Sequence, residues 1–147
     1  MPASAQEIGF LAVTPDHYPL LAEWLRAPHM QEWWGDPDEE LGFIRDMVEG
    51  RDTTRPFVIE LDGCPVGYIQ VWHIGHHQNA ECLGDHPWLA ELPPDAVGVD
   101  LSIGDAAALG RAMLDFQDLL AELGVSTPHI DTLVAAALEA GAYGAKL

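Results

Sequence analysis

The stretch "RPFVIELDGCPVGYIQVWHI", residues 55–74, constrains this chain more than any other. Two runs rich in β-branched and aromatic residues flank Asp62-Gly63, a dipeptide that tolerates the positive φ angles of a tight hairpin turn. The pattern predicts antiparallel strands near Pro56–Leu61 and Val66–Ile74. Ile8–Val13 is a short apolar run closed by "TPD", which predicts a strand and a turn. Val97–Ile103, "VGVDLSI", alternates and is β-branched, and predicts a fourth strand.

Helical periodicity fills much of the remainder. In "HYPLLAEWLRA" Leu20, Leu21, Trp24 and Leu25 recur at helical spacing. "DPDEELGFIRDMVEG" opens with acids, closes on Gly50 and carries Leu41, Ile44, Met47 and Val48 as one stripe, so it reads as a capped amphipathic helix. "PHMQEWWGDP", bracketed by Pro28 and Pro37, reads as a loop. "GHHQNAECLGDHPWLAELPPDA" shows no period and reads as a long surface loop. After Gly104 the pattern is helical: Ala106–Leu123, with Leu109, Met113, Phe116, Leu120 and Leu123 on one face, stops at Gly124. Thr127-Pro128 then starts a helix through Ala140 that stops at Gly141. The expected fold is α+β, a mainly antiparallel sheet of about four strands with packed helices and a C-terminal helical hairpin. Residues 1–110 and 111–147 are its two parts, within one compact unit.

At 147 residues the chain is long enough to bury a core, and 24 acidic residues against 6 Lys plus Arg give a formal charge of −18. That charge repels phosphate backbones and anionic membrane surfaces, so neither nucleic acid nor membrane is an expected partner. It would attract a polycation, although an acidic coat also serves solubility. No apolar run approaches membrane-spanning length and the opening residues lack a secretory pattern, so a cytoplasmic location is the default expectation. Two cysteines, Cys64 and Cys82, are too few for a disulfide scaffold.

Three segments in order, "EWLRAPHMQEWWGDPDEE", "DGCPVGYIQVW" and "VGVDLSIGDAAALG", resemble the GNAT superfamily of N-acetyltransferases, most closely the aminoglycoside 6'-N-acetyltransferase branch. The resemblance covers about residues 8–110. It implies acetyl-CoA as acyl donor and a cationic small molecule as acceptor. It makes Asp100 the match to the general base, and Gln70 and Trp72 matches to acceptor contacts. Leu101, Ser102 and Ile103 match the strand that offers main-chain groups to the pantetheine arm. Gly110 and Arg111 match the start of the diphosphate loop, but Ala112, Met113 and Leu114 follow where that loop has glycines. The last segment, "LGRAMLDFQDLLAELGVSTPHIDTLVAAALEAGAYGAKL", resembles instead the C-terminal domain of GHMP kinases, mevalonate kinases above all. The chain therefore reads as a chimera joined near Ala108–Arg111. Thr127, Pro128, Gly141 and Gly144 match that second resemblance and act as caps and stops, without chemistry of their own.

The residues also carry plainer readings. Asp100 is either a base within reach of an amine or a solvated strand-edge acid. At period two Gln70 and Trp72 share a sheet face with Tyr68, lining a cleft or covering a core, and a glutamine there favours the cleft. The resemblance makes Trp33 and Trp34 an aromatic wall for a sugar; by themselves they read as the hydrophobic staples of a loop. Glu39 and Glu40 join an acidic pocket or serve the helix dipole. His73, His76, His77, Cys82 and His86 offer ligands at short intervals, but neither a paired Cys-x-x-Cys nor a recognised histidine spacing appears, and no metal is expected. Cys82 as a nucleophile lacks an orienting partner. Two functions stay open: acetyl transfer to a cationic amine, or a non-catalytic scaffold that has lost its donor site. Because relatives extend the sheet past the fourth strand, an open edge here predicts a homodimer or a hairpin folded over it.

Overall fold

The computed structural model describes residues 7–145. Strand β1 (Ile8–Ala12) leads through a 3-10 turn at Pro15–His17 into helices α1 (Tyr18–Leu25), α2 (Pro28–Trp34) and α3 (Pro37–Val48). The hairpin β2 (Arg55–Leu61) and β3 (Cys64–His73) follows, then α4 (Ile74–His77), α5 (Ala80–Asp85), a 3-10 turn at Pro87–Glu91 and β4 (Val97–Ile103). Helices α6 (Ala106–Glu122) and α7 (Pro128–Glu139) end the described chain. The sheet runs β1-β2-β3-β4, antiparallel throughout. This is the expected α+β architecture.

Asp62 and Gly63 take φ values of 51° and 77°, so the hairpin closes as a two-residue turn with both central residues left-handed. The Asp62 carboxylate also accepts from the Glu7 amide at 2.8 Å, while the Asp62 amide donates to the Glu7 carbonyl, which pins the start of β1 beside the turn. Alternation then sorts the side chains. Val58 and Tyr68 point to one sheet face, where they join Val13, Leu21, Trp24, Leu25, Met30, Leu41 and Ile44 in the core. α1 and α3 pack on each other over this face, with α2 against both. In the β3–β4 register Tyr68 lies opposite Ser102, Gln70 opposite Asp100 and Trp72 opposite Gly98. The core-facing row thus continues outward into polar groups.

Two expected loops are helical. "PHMQEWW" forms α2 because Pro28 occupies a first-turn position, where its missing N–H costs nothing, and Met30 anchors the helix in the core. Residues 74–96 contain α4, α5 and a 3-10 turn, so Ile74, expected to end the third strand, starts a helix; Asn79 caps α5 by accepting from the Cys82 amide at 3.0 Å. Each piece is six residues or fewer, too short to show a 3.6-residue period. The α6 stripe is a further correction: Leu109, Phe116 and Leu123 are exposed, whereas Gly110 and Gln117 are buried.

The chain divides into two compact units between Gly104 and Asp105. In the second, Thr127 caps α7 by accepting from the Ile130 amide, and Gly124 and Gly141, at φ 73° and 95°, end the two helices. Gly110 and Gly144 bring their main chains together there, and a Cβ on either would land on the other segment's backbone. No helix among the described residues is long and apolar enough to cross a membrane.

Candidate active site

Asp100 is the centre of a directed hydrogen-bond chain across two strands. The Tyr68 hydroxyl donates to Gln70 Oε1 at 2.8 Å, Gln70 Nε2 donates to Asp100 Oδ2 at 2.9 Å, and Trp72 Nε1 donates to the same Oδ2 at 3.1 Å. Burial, followed by the charges of Glu40 and Asp100, pushes the Tyr68 phenol far above its ordinary value. It therefore stays a donor, and its proton fixes which way the Gln70 amide points. Asp100 Oδ1 receives no hydrogen bond from a described residue. One carboxylate oxygen is anchored and the other is left available, which is the arrangement a proton acceptor needs.

Two concavities meet at this carboxylate. The first, about 410 Å³, lies beneath Gln70, Trp72 and Asp100 and is walled by α3, by the 51–54 segment and by the pieces between β3 and β4. Glu40, Asp46 and Asp52 line it with Asp100, so the wall carries four carboxylates. The Arg51 guanidinium on the same wall is already held by Asp46 at 2.6 Å and by Glu49. Burial and then the charge of Glu39 raise the Glu40 carboxyl. At Asp52 burial acts upward, but hydrogen bonds from Thr54 and the charge of His77 outweigh it, leaving the carboxyl below its usual value. The second, more open cleft, about 480 Å³, is lined by Trp33 and Trp34 together with Glu40, Gln70, Asp100 and Leu101. A space with this lining attracts cations and offers them aromatic walls.

The structure brings Trp33, Trp34, Gln70, Trp72 and Asp100 to one place. Trp34 meets Tyr68 edge-on at 5.5 Å, while Trp33 is 81% exposed. Gly35, at φ 91°, turns the chain from α2 into α3, whose first turn Asp36 caps through the Asp38 and Glu39 amides, and this sets Glu40 over the cleft. Ser102 turns inward; it is buried, and its hydroxyl has no partner among the described residues. Leu101 points to the opposite face and is exposed, and the Ile103 carbonyl accepts from His29 Nε2 at 2.8 Å. Gly110 and Arg111 lie in the second turn of α6, within the other unit. Among the described residues no three His, Cys, Asp or Glu side chains group for a metal ion.

Residues 14–134 match the sequence model of the family described as "Acetyltransferase (GNAT) domain". The chain belongs to the GNAT acetyltransferase family. The match runs through residues 108–111, the expected junction, and on into α7. This GNAT chain is 30% identical over 101 residues to the aminoglycoside N(6')-acetyltransferase type 1 of Klebsiella pneumoniae, covering 64% of this chain and 47% of that protein. It spans about half the length of the curated relatives it matches. A crystal structure of the aminoglycoside acetyltransferase AAC(6')-Ib with coenzyme A aligns at TM-score 0.56 and 24% identity over 80% of this chain and 66% of that one. A complex of the same enzyme with ribostamycin and coenzyme A aligns at TM-score 0.54 and 24% identity over 71% and 59%. These structures share the GNAT fold with this chain.

The sequence left several cavity residues unread. Asp46, Asp52 and Trp88 reach the first cavity from three different segments, and His77, Cys82 and His86, read only as possible metal ligands, line it too. A signal did exist for α3: Glu40, Phe43 and Met47 are spaced to share one helical face, and all three line the cavity. His77 stood out only as one of the closely spaced histidines, which did not mark it as a cavity residue. Its Nε2 is buried without a partner among the described residues, and its ring meets Trp72 edge-on at 5.2 Å.

Proposed function

We propose that this chain serves N-acetyl transfer from acetyl-CoA to an amine of a cationic small molecule of aminoglycoside type. The observation that carries this reading is the half-anchored Asp100 carboxylate over an acidic, tryptophan-lined cleft. An amine enters as an ammonium, drawn by Glu40, Asp52 and Asp100, the Asp46 charge being offset by Arg51. Asp100 Oδ1 takes a proton from it, directly or through one water, and the freed lone pair becomes a nucleophile. Gln70 and Trp72 keep the carboxylate from turning away, and Trp33 and Trp34 flank the acceptor.

For the donor, acetyl-CoA supplies an acetyl thioester when bound. β4 is an edge strand, so part of its main chain is not used by β3, which suits Leu101, Ser102 and Ile103 as contacts for the amides of the pantetheine arm. The first turn of α6 suits a diphosphate poorly. The Asp105 carboxylate caps it by accepting from the Ala108 amide at 2.8 Å, and Gly110 lies inside the helix, where its N–H serves the helix itself. Arg111 is exposed, without an ion pair among the described residues, and is the donor that α6 leaves for a phosphate.

That first turn also favours a second reading, a non-catalytic binding domain. A joined origin for residues 109–147 rests on sequence resemblance alone, against a family match that continues to residue 134. Exposed Val97, Val99 and Leu101 on β4 support a homodimer through the open edge, which light scattering of the purified chain tests. Isothermal titration with acetyl-CoA separates enzyme from scaffold: micromolar binding is expected, and silence at millimolar ligand would leave the scaffold.

A further inference from the structure

Gly98 is the second residue of β4, between Val97 and Val99, and inside a strand glycine loses backbone entropy and contributes no packing. Its backbone does not require glycine, because the positive-φ glycines lie elsewhere. Space does require it. A Cβ on Gly98 would fall on Cε2, Cζ2 and Cδ2 of the Trp72 indole, its neighbour in the β3–β4 register. The indole therefore lies against bare main chain, with the His77 ring edge-on to it, and from there Nε1 reaches Asp100 Oδ2 at 3.1 Å.

We propose that Gly98 is a positioning residue for Asp100: lacking a side chain, it seats Trp72 over β4 so that the indole N–H holds Oδ2 and Oδ1 remains for the acceptor. Any side chain at 98 displaces the ring and releases the carboxylate, leaving Gln70 as its single anchor. The catalytic meaning rests on Asp100 acting as the base, whereas the geometry can be tested without turnover.

The test uses the 15N-labelled 147-residue chain, which has five tryptophans. The Trp72 indole N–H signal is identified by its loss in Trp72→Phe. Gly98→Ala is expected to move that signal in the same direction as Asp100→Ala does, with the other four indoles in place. Coenzyme A release should fall about tenfold in kcat, with the KM for acetyl-CoA unchanged, as expected for loss of one charge-assisted hydrogen bond. In the Trp72→Ala background, where no ring remains to be displaced, Gly98→Ala should have no further effect on turnover or thermal midpoint. That pair also decides the matter if Gly98→Ala alone fails to fold. An unmoved Trp72 signal in folded Gly98→Ala, or a Gly98→Ala loss that persists in the Trp72→Ala background, would overturn the proposal. If the parent chain releases no coenzyme A at all, the base assignment fails while the indole signal still decides the role of Gly98.

Discussion

Tyr68→Phe separates a hydrogen bond from a titration, and its effect should change sign with pH. Phenylalanine keeps the ring that packs edge-on to Trp34 and stays in the core, so the variant removes only the hydroxyl, with its 2.8 Å bond to Gln70 and its weaker 3.8 Å contact with Met47 Sδ. Near neutrality this should cost about 1 kcal/mol, the net worth of a part-buried neutral hydrogen bond. At high pH a second effect enters. The native phenol titrates far above the ordinary tyrosine value of 10.0, because ionising it would bury a charge near Glu40 and Asp100. Above pH 10 the unfolded chain therefore loses the Tyr68 proton while the native chain keeps it. Native protein then binds more protons than unfolded protein, and stability falls as pH rises, by up to about 1.4 kcal/mol per pH unit from this one group. The Tyr68→Phe variant is free of that loss. The parent's advantage of about 1 kcal/mol should vanish a little below pH 11 and reverse beyond it. Urea unfolding of both proteins at pH 7, 9, 10 and 11 measures the difference directly. Parallel stability curves from pH 9 to 11 would refute the account of Tyr68.

Other expectations are simpler. Gly104→Ala places a Cβ in the Trp24 indole, which is buried in the core, so it should cost about 1–3 kcal/mol in urea unfolding through overpacking. Leu21→Ala, at 2% exposure, should cost about 2–5 kcal/mol by the same measurement. Asp52→Asn removes a carboxyl held below its usual value, whose stabilising effect is present above pH 3.8 and lost as pH falls through the native value. Its unfolding curve should therefore be flatter than the parent's on the acid side of pH 3.8.

What the sequence could reveal followed the length scale of the signal. The hairpin was legible because Asp62-Gly63 names its own turn type and the flanking runs alternate. α3 and α7 were legible because Asp36, Gly50, Thr127 and Gly141 mark their ends chemically. α2 was not, since Pro28 and Pro37 read as loop brackets although each sits in the first turn of a helix. The α6 stripe misled because a two-helix unit has too little interior to bury Leu109, Phe116 and Leu123. For the site, period two placed Tyr68, Gln70 and Trp72 on one face, but which residues stand across from them depends on strand register. The register pairs Gln70 with Asp100 and Trp72 with Gly98, and no local pattern in residues 97–103 announces that pairing.

Coenzyme A release by the full chain, with ribostamycin as acceptor, tests the role of Asp100 most directly when parent and Asp100→Asn are compared. The parent should release thiol, and the variant should lose about 10²–10⁴-fold in kcat while the acetyl-CoA KM changes little. Equal turnover by the two proteins would contradict the assignment of the proton to this carboxylate.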